Sequence, residues 1–191
     1  MNLNRVTKQL SVSRLFGIIL AAVLLAACAS EPNQSSGQPG MPSAFSDLTK
    51  NAQWYLEQVD PAKPAEAFVW QMMAARSYLA LGQAKPAAAL YQQLQKQAKS
   101  PVQQAQLQLL QAHLLLAQGN ANQALILLEG KPDVVLDADT QKDWYRQRVV
   151  LQLDINNKFG AAKSLILLEP YLAKNELATN HQQIWSLLKS M

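Results

Sequence analysis

One stretch in the middle of the chain, residues 102–128, constrains the fold more than any other. It reads VQQAQLQLLQAHLLLAQGNANQALILL, and Gly119 is its only glycine. Before that glycine, apolar residues recur at steps of three and four: Val102, Ala105, Leu109, Ala112 and Leu116. Such spacing predicts a helix with one buried stripe. Gly119 is placed to end it, and Asn120 with Gln123 to cap a second helix. An antiparallel helical hairpin this apolar needs neighbours to cover it.

Similar hairpins flank this one, and together they predict a repeat architecture. The three are aligned on Gly82, Gly119 and Asn157. Small residues precede each anchor by seven places (Ala75, Ala112, Val150) and follow it by five (Ala87, Ala124, Ala162), and larger ones follow by nine (Tyr91, Leu128, Ile166). This order resembles the tetratricopeptide repeat, although the spacings of 37 (119 minus 82) and 38 (157 minus 119) exceed its usual length of about 34. We therefore predict an all-α, tetratricopeptide-like helical-hairpin solenoid over residues 44–191.

Terminal helices are expected to close the array. The first, about residues 45–59, places Phe45, Leu48, Ala52, Tyr55 and Val59 on one face. The last, about residues 176–190, is expected to bury Leu177, Ile184, Trp185 and Leu188 as a terminal cap. Between them, further helices are predicted at about residues 139–155 and 158–168. Most of the aromatic residues are therefore expected to serve packing.

The first 27 residues have the order of a secretory leader. Three basic residues precede an apolar run at positions 15–27, which is too short to span a bilayer as a helix of about 20 residues. The run ends in L-A-A-C, which resembles the bacterial lipobox, so residues 1–27 are predicted to be a lipoprotein signal peptide and Cys28 the lipidated residue. Cys28 is the only cysteine, which excludes a disulfide within the chain.

Residues 28–43 are predicted to be the lipidated cysteine and a flexible tether. The stretch is rich in Pro, Gly and Ser and holds little that a core would bury. Residue 29 is Ala rather than Asp, which resembles the signal for transfer to the outer membrane in lipoproteins of Gram-negative bacteria. The expected location is the periplasmic face of the outer membrane, with lipid as the anchor.

Charge argues against a nucleic-acid partner. The chain has 17 basic and 13 acidic residues, but Arg5, Lys8 and Arg14 lie in the leader, which leaves 14 basic and 13 acidic residues. The remaining Lys and Arg are scattered singly, whereas nucleic-acid binding needs them clustered.

No catalytic or metal-binding pattern is found in the sequence. The only histidines, His113 and His181, are far apart and lack zinc-ligand spacing, and no phosphate-binding glycine loop or nucleophile motif is present. Four aspartates, at positions 133, 137, 139 and 143, lack the pattern of a calcium loop and are better explained by capping of a helix. We therefore expect a non-enzyme without cofactor or metal.

A protein-binding groove is the remaining candidate site. In tetratricopeptide-like arrays the first helix of each unit lines the concave surface. Positions ten and six before each anchor give six candidates for partner contact: Met72, Arg76, Leu109, His113, Gln147 and Leu151.

Three stretches carry a resemblance to a known family: YLEQV, AARSYLALGQAKPAAALYQQL and the final EPYLAKNELATNHQQIWSLLKSM. With the lipobox and the repeats, they make residues 45–191 similar to the N-terminal part of the LpoA family, outer-membrane lipoproteins that activate a class A penicillin-binding protein. The resemblance implies regulation of peptidoglycan synthesis through protein contact. The family continues beyond this region into a second domain, thought to dock the synthase, so we expect this chain to correspond to only the N-terminal part of such an activator.

The residues also leave a second interpretation open. A lipoprotein scaffold of the same architecture, for secretin, pilus or outer-membrane protein assembly, would share these packing residues. In both interpretations the partner is an envelope protein.

Overall fold

The computed structural model describes residues 41–130 and 134–191, which belong to one compact unit, Ser35–Met191. The predicted leader, Cys28 and most of the predicted tether lie outside the described residues. Every regular element described is helical, which confirms the predicted all-α class. The helices are α1 (Ala52–Glu57), α2 (Pro64–Ala80), α3 (Ala84–Gln97), α4 (Pro101–Ala117), α5 (Ala121–Leu127), α6 (Ala138–Asp154), α7 (Lys158–Leu168) and α8 (Lys174–Lys189). A 3₁₀ turn, Glu169–Tyr171, follows α7.

Helices α2 to α7 form three antiparallel hairpins, each closed by the same turn. The backbone is left-handed at Gly82 (φ 72°), Gly119 (φ 77°) and Asn156 (φ 59°). The next amide donates back to the carbonyl five residues earlier: Gln83 to Tyr78 (2.8 Å), Asn120 to Leu115 (2.8 Å) and Asn157 to Gln152 (2.7 Å). Bonds of this kind satisfy carbonyls at the end of the helix.

The turn geometry corrects the predicted anchor of the third repeat. Asn156, not Asn157, has the left-handed backbone, so the spacings are 37 (119 minus 82) and 37 (156 minus 119). Asparagine tolerates this conformation better than most residues, and two consecutive asparagines made the alignment ambiguous. The small residue five places after the third anchor is accordingly Ala161, which is fully buried.

Two predictions about helix ends need correction. The Asn120 side chain makes no capping hydrogen bond at the start of α5. The predicted helix at residues 45–59 begins only at Ala52, because the Asn51 side chain caps it by accepting from the Trp54 amide. Before that point, the hydroxyl of Tyr55 accepts from the amides of Thr49 and Lys50, which holds this backbone outside the helix.

The core consists of two clusters. The larger unites the N-terminal segment with α1 to α6 and contains Phe45, Phe68, Met72, Leu109 and Leu151 among its buried side chains. The smaller joins α6, α7 and α8 through Tyr145, Val149, Ala161, Leu165, Leu168 and Ile184.

The last helix does not close the array as predicted. Ile184 is buried, but Trp185 is 63% exposed and Leu188 is also exposed. Helix α8 packs on α7, whereas α4 packs on both α2 and α6. The apolar periodicity of α8 was correct, but its neighbours leave half of that face uncovered.

Candidate protein-binding face

The inner face of the array is formed by the first helix of each repeat, α2, α4 and α6, and by α8. Positions six residues before each turn residue are Arg76, His113 and Val150, and positions ten before are Met72, Leu109 and Arg146. A further step of 37 residues gives Leu187 and Gln183 in α8. These eight are the inner-face positions.

The structure separates the six predicted groove residues into two classes. Met72, Leu109 and Leu151 are fully buried, and Gln147 is buried as well, so these four hold the helices together. Gln147 and Leu151 each lie one residue past an inner-face position, because the left-handed turn residue is Asn156 and not the predicted anchor Asn157. Val150 and Arg146 take their places on the inner face.

Arg76 and His113 do reach the inner face, but an N-terminal segment lies on top of them. We call residues 43–50 the cover segment. The Phe45 ring lies 4.7 Å from the guanidinium carbon of Arg76 and 6.3 Å from the His113 ring, and is only 4% exposed. A cation over a buried aromatic face is attractive, and ring burial adds hydrophobic stabilisation. Phe45 therefore fastens the segment across α2 and α4.

Hydrogen bonds fix the path of the cover segment. Arg76 Nη1 donates to the backbone oxygens of Ala44 and Ser46, both at 2.9 Å. The Ser43 hydroxyl donates to Asp137 Oδ1 at 2.5 Å, next to the first residue of α6. Ser46 likewise donates to Asp139 Oδ2 at 3.1 Å. The segment thus spans the first helices of all three repeats.

The aspartates at the start of α6 do more than cap it. Asp137 caps α6 as predicted, by accepting from the Thr140 amide at 3.0 Å, and it also accepts a hydrogen bond from the Ser43 hydroxyl. Sequence reasoning missed the contact with Ser43 because it joins residues 94 positions apart. Asparagine is a favoured N-cap residue, so Asn51 is a local sequence signal for a helix that begins after it rather than at residue 45.

A charged cluster lies below the cover segment. The carboxylate Asp143 Oδ2 lies 2.7 Å from His113 Nε2, which donates to it because an ionised carboxylate only accepts. Burial raises the pKa of Asp143, but the His113 hydrogen bond and the charges of His113, Arg76 and Arg146 outweigh it and hold the pKa below its usual value. Burial lowers the pKa of Arg76, an effect that Asp143 opposes. The His113–Asp143 pair thus joins α4 to α6, and the charge of Arg76 in α2 favours the ionised form of Asp143.

Beyond the cover segment the inner face is open. A cleft of about 720 Å³ lies between α6, α7 and α8. Its walls are largely apolar and include Val149, Val150, Leu153, Leu165, Leu168 and Leu187. Val150 is 46% exposed and Leu153 44%. The four inner-face positions of α6 and α8 all line this cleft.

Polar groups form part of the cleft rim. Glu176 accepts from Lys142 and Arg146, each at 2.8 Å, and from the amide of Ala173. The hydrogen bond from Lys142 is the main cause that lowers the pKa of Glu176. This pairing fixes the first turn of α8 against α6.

The described part of the chain contains neither a metal-binding group of side chains nor a membrane-spanning helix. Across residues 41–130 and 134–191, no group of three or more His, Cys, Asp or Glu side chains is arranged to hold a metal ion. Within the same ranges, none of the helices combines the length and apolar character needed to cross a bilayer.

Comparison with known proteins identifies relatives along nearly the whole chain. Residues 46–191 match the family model described as "LppC putative lipoprotein". The penicillin-binding protein activator LpoA of Vibrio antiquarius is 32% identical over 178 residues, covering 93% of this chain and 29% of that protein. LpoA of Photobacterium profundum is 29% identical over 188 residues, covering 98% of this chain and 30% of that protein. The chain thus spans about 30% of the length of these relatives.

Solved structures share the fold at lower identity. The amino-terminal domain of Escherichia coli LpoA superimposes with a TM-score of 0.67 at 22% identity, covering 82% of this chain and 70% of that one. Full-length LpoA from Haemophilus influenzae superimposes with a TM-score of 0.58 at 17% identity, covering 78% of this chain and 28% of that one. The tetratricopeptide-like fold is therefore shared with these domains.

Proposed function

Because the chain belongs to the LppC lipoprotein family, we propose that it is a lipid-anchored regulator of peptidoglycan synthesis that activates a penicillin-binding protein by contact. It corresponds to the amino-terminal, helical-repeat part of such an activator. The observation that carries the proposal is the relatedness to proteins named penicillin-binding protein activators, which extends over 93% or more of this chain. In this proposal the protein acts by binding its partner and catalyses no reaction itself.

The arrangement of the inner face supports a binding role. Its helices pack closely at buried small residues, among them Ala75, Ala112 and Ala124, each fully buried. Helical-repeat arrays present extended surfaces to partner proteins. A scaffold of this kind can hold an envelope enzyme in an active arrangement without supplying a reactive group.

The predicted lipoprotein leader implies that the protein is attached to a membrane by lipid. We propose that Cys28 is the acylated first residue of the mature protein, on the periplasmic face of the outer membrane. The matched family is a lipoprotein family, which agrees with this. More than one acyl chain gives stable attachment, whereas a single chain gives only marginal binding.

The anchor is tested by Cys28→Ala. We expect the variant to leave the membrane fraction, because the lipid is the proposed attachment. Sucrose-gradient fractionation with outer- and inner-membrane markers measures this. A variant that stays in the outer membrane, or a wild-type protein that keeps its leader, would contradict the proposal.

Activation is tested with a chimera. Residues 43–191 replace the corresponding region of full-length V. antiquarius LpoA, and glycan polymerisation by the class A penicillin-binding protein of the same organism is measured. We expect the chimera to stimulate the synthase as the unmodified relative does. Residues 43–191 alone are expected to stimulate little, since the docking element is expected outside them.

Three other outcomes of these assays would contradict the proposal or its expectations. A chimera that folds but fails to stimulate would overturn the proposed function. Strong stimulation by residues 43–191 alone would place the activating contact within the repeats. Turnover of purified peptidoglycan by the chain alone would overturn the non-enzymatic role.

A further inference from the structure

The cover segment determines where the chain enters the folded array. Ser43, at the start of this segment, donates to Asp137 at 2.5 Å, and Ser46 donates to Asp139 at 3.1 Å. Both aspartates stand at the start of α6, in the third repeat. The chain therefore joins the array beside the third repeat, although α1 and the first repeat come next in the sequence.

From that point the cover segment runs back across the inner face to the first repeat. Phe45 contacts Arg76 in α2 and His113 in α4, and the Ser77 hydroxyl of α2 donates to the Lys50 carbonyl at 3.4 Å. Helix α4 packs on both α2 and α6. The entry point of the chain and the first repeat therefore lie on opposite sides of α4.

The contacts of the cover segment hold this entry point in place. Ala44 and Phe45 are both buried, and Arg76 donates to the backbone oxygens of Ala44 and Ser46. Hydrogen bonds from a charged donor are stronger than those between neutral groups. Without these contacts the chain would be free up to α1, and the eight residues of the segment would add up to about 26 Å of reach.

The distance from the proposed lipid to the entry point is short. Residues 29–42, fourteen in all, separate Cys28 from Ser43. A flexible chain of that length spans about 20 Å from end to end. Packed helices lie about 8 to 10 Å apart, so α2 is about 20 Å from α6 across α4. Because the two lengths are similar, the repeat that the tether joins decides which part of the array is held near the lipid.

We infer that the array is held with the start of α6 towards the lipid surface and with the first repeat projecting away from it. The cover segment is the strap that sets this orientation, since it carries the tether from the first repeat to the third. The inference rests on the proposed anchor at Cys28, and it concerns the orientation of the array rather than activation. It makes α3, on the outer side of the first repeat, the helix most accessible to proteins beyond the membrane.

The test measures energy transfer from a fluorophore on the protein to acceptor-labelled lipid headgroups. The mature chain, residues 28–191, is linked through the Cys28 thiol to a maleimide lipid in vesicles of phosphatidylethanolamine and phosphatidylglycerol. An azido amino acid carries the fluorophore at position 135, which is 89% exposed and lies next to the start of α6, or at position 93, which is exposed on α3. We expect position 135 to lie about 20 Å closer to the acceptor plane than position 93.

Two variants release the strap in different ways. Phe45→Ala removes its apolar anchor, and Ser43→Ala combined with Ser46→Ala removes its hydrogen bonds to α6 while the buried ring stays. We expect the difference between the two labels to shrink in both, and more in Phe45→Ala, where a longer stretch is freed. Phe159→Ala, at an exposed position of α7, is the matched control and should leave the difference unchanged.

Equal distances for the two labels in the wild-type chain, or a shorter distance for position 93, would overturn the inference. So would a full difference that persists in the folded serine variant, which decides the matter if Phe45→Ala does not fold. Because Cys28 is coupled to lipid chemically, this result does not depend on acylation in the cell. Fractionation of Cys28→Ala and the chimera assay decide the proposed function separately.

Discussion

The covered and open halves of the inner face differ in what occupies otherwise equivalent positions. In the covered half, Phe45 packs on Arg76 and His113, and the cluster with Asp143 lies beneath. In the open half, Val150 and Leu187 face a cleft. The backbone turns repeat at 37 residues throughout, so the difference comes from side chains and from the cover segment.

This contrast shows that a repeat fold does not make each repeat a binding site. Arg76 and His113 were reasonable groove residues on spacing alone, yet their polar atoms are used within the chain. The third repeat, where Val150 stands in place of Arg76 and His113, has an exposed inner face. Surface availability therefore depends on long-range contacts that the repeat pattern does not encode.

The largest expected effect comes from Phe45→Ala. Removing a buried phenylalanine typically costs about 3 to 5 kcal/mol in the free energy of unfolding, and the ring also covers Arg76. We expect a loss in this range in urea denaturation. The variant should also expose the inner face of the first two repeats.

Phe159→Ala is the matched control. Phe159 is 67% exposed on α7, so its removal should change the unfolding free energy by about 0.5 kcal/mol or less. Equal losses in the two variants would mean that the cover segment is not part of the core.

Overpacking tests the seam inside the central hairpin. Ala124 is fully buried, and insertion of larger groups into a packed core costs about 1 to 3 kcal/mol, so Ala124→Leu should lower the melting temperature. Gln104→Leu is the control on an exposed position of α4. The neighbouring Gln103 would not serve as a control, because its side chain accepts hydrogen bonds from the amides of Lys99 and Ser100 in the capping box of α4.

The smallest predicted effect comes from Asp143→Asn. Loss of the charged partner of His113 should cost about 1.5 kcal/mol at neutral pH. Because the Asp143 pKa is lower in the folded than in the unfolded chain, this contribution is present above about pH 5 and is lost as the pH falls through about 4 and below. Unfolding free energies measured between neutral and acidic pH should therefore converge for the two proteins. A difference that stays constant or grows at low pH would contradict this assignment.

Most of the fold was predictable because apolar periodicity and turn glycines are local signals. Helix α7 was predicted at its observed bounds, and α6 within one residue at each end. The third turn was misplaced because two asparagines compete for one left-handed position, and only the backbone distinguishes Asn156 from Asn157.

The site was less predictable for a physical reason. The contacts that define it join residues distant in sequence, such as Ser43 with Asp137 and Arg76 with Ala44. The periodicity of Phe45 with Leu48 and Ala52 favoured a helix, but capping by Asn51 and contacts across the inner face determined the structure. Trp185 shows the converse, since its apolar character predicted burial that its neighbours do not provide.

Thiol labelling tests most directly the claim that one half of the inner face is covered and the other open. His113 and Val150 occupy the same position in adjacent repeats, but the His113 ring lies beside Phe45 and its side chain is 23% exposed, whereas Val150 is 46% exposed and lines the cleft. Cysteine is placed at each position in turn in folded residues 43–191, which have no cysteine of their own. We predict rapid modification at position 150 and much slower modification at position 113. Similar rates at the two positions in the folded protein would contradict both the corrected repeat register and the division of the inner face.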